Sequence, residues 1–180
     1  MRKMVESIES QFQKFKALAE AAIEQVDEAD LSRPVPDGGN SIAVICWHIS
    51  GNLKARFTDF LTTDGEKPWR RRDEEFQARA VSRGELLAKW AGGWDVLERT
   101  LASLTDEHLG HTVVIRGESM EVHEALHRSL AHTTYHVGQI VYLGKIFRGT
   151  GWTCLSIPLG DSEAHNARVR SASQARDGAR

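Results

Sequence analysis

The chain has 180 residues, enough for one domain with a real core and short for two. Lys and Arg total 23 against 25 Asp and Glu, so the bulk charge favours neither nucleic acid nor an anionic membrane as a partner. Two cysteines, Cys46 and Cys154, make no disulfide framework, and the longest apolar run, IAVICW, is too short to span a bilayer, so a soluble cytoplasmic protein is expected.

The first helical pattern runs from about Met4 to Glu28, with Ile8, Phe12, Phe15, Leu18, Ala22 and Val26 at spacings of three and four. Ser-Arg-Pro-Val-Pro-Asp-Gly-Gly cannot continue it. The second pattern starts after Asn40, a good N-cap residue, and carries Ile42, Ile45, Ile49, Leu53, Phe57 and Phe60 down to about Leu61. A long polar loop follows, TTDGEKPWRRRDEEF, in which Trp69 and Phe76 are the residues able to pin it to the bundle. Its basic run, Arg70 to Arg72, is answered at once by Asp73, Glu74 and Glu75, and each arginine reads as solvated surface charge.

Ser82-Arg83-Gly84-Glu85 matches the S-x-x-E capping box and opens the third helix, which continues through Leu86, Leu87, Trp90, Trp94, Leu97 and Leu101. Gly92-Gly93 weakens its middle unless another helix approaches closely there. HTVVIRGESMEV reads as a small β-hairpin, and the fourth helix spans roughly Val122 to Phe147. Long amphipathic segments with no strand-rich partner predict an all-α four-helix bundle, with loops long enough for crossover topology. Residues 1–160 are expected to form this domain, and residues 161–180, polar and without apolar periodicity, a disordered tail.

Eight histidines are present, and His123, His127, His132 and His136 all fall on the fourth helix. They form two i,i+4 pairs about 180° apart around the helix, each bordering the apolar stripe from a different side. The later pair sits mid-helix, beside Gly138, which would let a neighbour come close, and Gln139, a polar residue on the histidine side. A metal needs a third ligand, and His48 in CWHISGN, with Asn52 one turn on and Asp59 three turns on, is the candidate. Taken alone, H-x-x-x-H more often describes partly exposed or core-satisfied histidines. His108, His111, His123, His127 and His165 are read that way, and Trp47, Trp90 and Trp94 as core.

Together, CWHISGN, the RGE hairpin and HTTYHVGQI resemble the DinB-like superfamily of four-helix-bundle metalloproteins, also called YfiT-like, over roughly residues 5 to 165. SGNLKARFTDFLTTDGEKPWRRRDEEF and LSIPLGDSE look like a subgroup known only as a domain of unknown function. The resemblance implies an up-down-down-up bundle, often a homodimer, with a divalent metal on three histidines that match His48, His132 and His136. Some relatives are thiol S-transferases using bacillithiol, mycothiol or glutathione, one branch is an isomerase, and others are described as hydrolases.

The expected function is therefore a divalent-metal-dependent enzyme, with Zn²⁺ or Ni²⁺ on His48, His132 and His136, transferring a small-molecule thiol to an electrophile. Asn52, Arg56 and Gln139 are the expected supporting or substrate-binding residues, Asn52, Arg56 and the Arg70 to Arg72 loop being able to recognise carboxylates of the thiol or its acceptor, and no catalytic residue is expected beyond the metal centre. The alternatives are a metal-dependent hydrolase, weakened by the absence of the H-E-x-x-H acid, and a non-catalytic metal-binding bundle. No nucleic-acid or membrane partner is expected.

Overall fold

The computed structural model describes residues 1–177. Seven helices and one hairpin follow in the order α1 (Lys3–Gln25), α2 (Glu28–Leu31), α3 (Ile42–Phe57), α4 (Arg72–Glu75), α5 (Arg83–Ser103), β1 (Thr112–Ile115), β2 (Glu118–Glu121), α6 (Val122–Arg148) and α7 (Ser162–Asp177). The four long helices α1, α3, α5 and α6 bury their apolar stripes against one another, with Phe12, Trp90, Trp94 and Leu97 among the residues withdrawn from water. None of the described helices is long and apolar enough to cross a membrane.

Hydrogen bonds between helix ends give the directions. Arg2 Nε donates to Leu104 O at 2.8 Å, so the start of α1 meets the end of α5. Thr100 Oγ1 donates to Phe57 O and Ser50 Oγ to Lys89 O, so α3 and α5 run side by side in the same sense. Gln25 Nε2 donates to Thr153 O, which places the ends of α1 and α6 together. The bundle is up-down-down-up, as the resemblance implies. Because α3 and α5 are parallel, the segment between them must return along the length of the bundle, and that return carries α4.

Local chemistry sets several boundaries. The α5 capping box forms as the sequence predicts, with Ser82 Oγ accepting from Glu85 N and Glu85 Oε2 accepting from Ser82 N. The α3 cap is Ser41 rather than Asn40, its Oγ accepting from Val44 N at 3.2 Å, and α3 stops at Phe57, four residues earlier than expected. Asp59 lies past that end with φ of 49°, exposed and off the helix flank it was expected to share with His48. The hairpin turns on Arg116 and Gly117, both at positive φ (57° and 78°), and the Asp64 carboxylate accepts from both of their backbone N–H groups at 2.8 Å.

Gly93 is where α5 meets α3. A Cβ there would lie 2.6 Å from Ser50 Cα, whereas Gly92 faces open space. Three other expectations need correction. The stretch expected to be a disordered tail is helical from Ser162 to Asp177, because Ala, Glu, Gln and Arg are good helix formers; residues 162–174 of it are exposed apart from half-buried His165. Residues 178–180 lie outside the described residues. Trp69 does not pin the loop but stands exposed with Lys54 Nζ over its ring, and Trp47 is only half-buried, between Arg79 and Lys89, rather than in the core.

Candidate metal centre

His48 projects from α3, and His132 and His136 from successive turns of α6, so two helices suffice to bring three imidazoles together. One ring nitrogen from each lies within 4.8 Å of the others, and His48 Nε2 is 3.1 Å from His132 Nε2. The opposite nitrogens of two rings are held from behind. His48 Nδ1 donates to Glu75 Oε2 at 2.9 Å, and His136 Nδ1 to Gln139 Oε1 at 2.8 Å. A proton fixed on Nδ1 leaves a lone pair on Nε2, so His48 and His136 present acceptors inward.

Glu75 sits on α4 in the return segment, buried, with Arg70 Nε and Nη2 each donating to its carboxylate at 2.8 Å. Burial raises its pKa, but the hydrogen bonds from Arg70 and His48 outweigh that and hold it below the ordinary glutamate value. It is therefore an anion, tied to His48 on one side and Arg70 on the other. Room for it comes from Gly51, where a Cβ would fall 2.1 Å from Glu75 Oε1. Phe76, next in the chain, lays its ring 4.6 Å from the His48 ring and pins the loop as expected.

His132 and His136 are kept neutral. Burial first, then the nearby His136, His48, Arg70 and Arg56, pushes the His132 pKa down to about 3, and burial lowers that of His136. His136 Nε2 is buried with no hydrogen-bond partner. An inward lone pair from His48, another from His136, and the ring of His132 beside them is a donor set that a divalent cation satisfies and a hydrogen bond alone does not. The residues present fit such a cation.

The centre opens on a cavity of about 360 Å³ lined by both polar and aromatic side chains. Asn52 and Arg56 reach it, as expected of them, but Arg56 is also committed to Gly65 O and to the Glu66 carboxylate. Gln139 meets His136. Gly138 does not act as expected, since it is exposed with nothing near its missing Cβ; the glycine that admits a neighbour on α6 is Gly144, against Ala22 and Val26. His108, His111, His123, His127 and His165 stay outside the cluster, His108 as the cap of Thr105 and His123 beside Glu121.

Glu75 and Gly51 were not anticipated. Arg70 was read as solvated, yet its side chain is 2% exposed. The RRRDEE run shows opposite charges close together but not which pair turns inward, and that is the signal the sequence lacks.

A family model described as "Protein of unknown function (DUF1572)" matches residues 1–161. The chain belongs to the DUF1572 family. DUF1572 lies within the DinB/YfiT-like superfamily, the level at which CWHISGN and HTTYHVGQI carry the resemblance. No curated protein matches this DUF1572 chain.

Proposed function

We propose that this DUF1572 protein is a divalent-metal-dependent enzyme that transfers a low-molecular-weight thiol to an electrophile. The observation that carries it is the convergence of His48, His132 and His136 at the edge of a cavity, with the His136 Nε2 lone pair unpartnered. Three imidazoles would hold the cation, Zn²⁺ or Ni²⁺ by the chemistry of nitrogen donors, and leave coordination open toward the cavity. A cation there supplies the positive charge that favours the thiolate, the nucleophilic form of a thiol. Glu75 and Gln139 keep the His48 and His136 rings oriented, and Phe57 and Phe60 provide an apolar wall for the acceptor.

A hydrolase would use the same cation with a base to take a proton from water. Among the described residues, no Asp or Glu lines the cavity, and Glu75 lies behind His48, on its Nδ1 side. That favours transfer over hydrolysis, in keeping with the bacillithiol, mycothiol and glutathione transferases of the superfamily. Tyr135, Tyr142 and Ile146 stand exposed along one side of α6 and support the homodimer expected by resemblance.

Protein purified without added metal should carry about one divalent cation per chain. So loaded, it should accelerate conjugation of a thiol panel to a reactive electrophile, and His136→Ala should lose both metal and acceleration while remaining helical. Turnover of esters or amides without thiol would replace transfer by hydrolysis, and turnover of neither class would leave a non-catalytic metal-binding bundle.

A further inference from the structure

Five arginines, Arg56, Arg70, Arg72, Arg116 and Arg128, line the cavity beside the three histidines, in a chain whose overall charge is close to neutral. They converge from three places: α3, the return segment and its α4, and the hairpin turn with α6. Two carboxylates are bonded closely to them. Glu66 accepts from Arg56 at 3.2 Å and from Arg116 at 2.7 Å, and Glu75 from Arg70 at 2.8 Å. The remaining ion pairs are long and wet: Arg128 is 4.0 Å from Glu118 and Arg72 is 3.5 Å from Asp73, both acids being largely exposed. Positive charge in the cavity is thus only partly neutralised.

One atom is decisive. Arg70 Nη1 is buried and has no hydrogen-bond partner, although the other two guanidinium nitrogens are bonded to Glu75. A buried guanidinium N–H left without an acceptor is costly, and the cavity that Arg70 lines is where an acceptor can sit. The charges also act on one another: burial lowers the Arg56 pKa, Glu66 opposes this, and Arg70 and Arg116 lower it further. Phe57, Phe60 and Ile115 also line the cavity and supply an apolar surface. At about 360 Å³ the cavity is at the small end of ligand sites.

We infer that the cavity recognises a small organic anion, its apolar body against Phe57, Phe60 and Ile115 and its carboxylate or phosphate group against the guanidiniums of Arg70, Arg116 and Arg128. This rests on reading the cavity as the substrate site of the proposed metal-dependent enzyme, and names the class of molecule that enters it. Planar guanidinium forks match either anion, so the two are separated by measurement.

The test is calorimetric titration of the protein as purified with benzoate, phenyl phosphate and benzamide, three probes sharing one ring and differing in charge, with metal content measured in every sample. One or both anions should bind, benzamide should not, and added salt should weaken binding. The tighter anion identifies the group. Arg128→Gln should weaken anion binding about tenfold, and Arg116→Gln with Arg128→Gln should weaken it further, at unchanged metal content. Arg128 is half exposed with one long ion pair, so its variant tests the idea even if the double variant fails to fold. Equal binding of benzamide and the anions, no binding of either anion, or undiminished anion binding in Arg128→Gln would overturn the inference. Anion binding without any metal in the protein would instead overturn the proposed enzyme and leave the anion site standing.

Discussion

Glu75 decides how firmly His48 is held. Its carboxylate accepts the Nδ1 proton of His48 while Arg70 keeps it ionised, so removing the charge loosens the ring and lowers the basicity of Nε2. Glu75→Gln should weaken metal binding about 10- to 100-fold in competition with a chromophoric chelator, with the helices intact. Gly51→Ala should weaken it similarly without touching a charged group, because the new methyl would occupy the place of Glu75 Oε1. Acid gives a further residue-scale prediction. The His132 pKa is depressed from 6.5 to about 3 in the folded state, so between those values the unfolded chain binds more protons than the folded one. Stability should be unaffected by this group above pH 6.5, fall as pH drops below it, and lose no more from it below about pH 3. Melting temperature of the metal-free protein against pH measures this, and His132→Leu should flatten the slope.

Among the elements, the α3–α5 contact is the least forgiving. Ser50 backbone atoms lie within 3 Å of where a Gly93 Cβ would be, and backbone cannot step aside as a flexible side chain can. Gly93→Ala should cost about 1–3 kcal/mol in urea unfolding, while Gly92→Ala, facing open space, should be neutral or stabilising. Helix α7 is the opposite case. Residues 162–174 of it are exposed apart from half-buried His165, so deleting residues 162–180 should shift bundle stability by no more than about 0.5 kcal/mol. These two elements also show why periodicity reads some segments well and others poorly. An apolar stripe reports burial, as in α3 and α5, but it is silent on α7, which is helical from propensity without a stripe to bury.

For the whole molecule, the core lies between α1, α3, α5 and α6, and the three histidines sit at its margin. Chelation should therefore leave the far-ultraviolet circular dichroism unchanged, unlike a zinc finger, while lowering the melting temperature by the binding energy lost. Collapse of helicity on chelation would make the metal structural and count against an enzyme. The helical class, the hairpin, the α5 cap and the pairing of His132 with His136 were legible in the sequence, because each rests on spacing within a few residues, where the chain's own geometry sets the distances. His48 stood out as a candidate partner from its place on the second helix and was matched by the resemblance, but no local spacing joins residues 84 positions apart. What the tertiary structure alone decided is the inward turn of the return segment. Parallel α3 and α5 force that segment back along the bundle, and it delivers Arg70 and Glu75 to the centre from a run of three arginines and three acids that reads as solvent-exposed. A charged residue's burial depends on which partner the fold sets beside it, and such partners are invisible to hydrophobic periodicity.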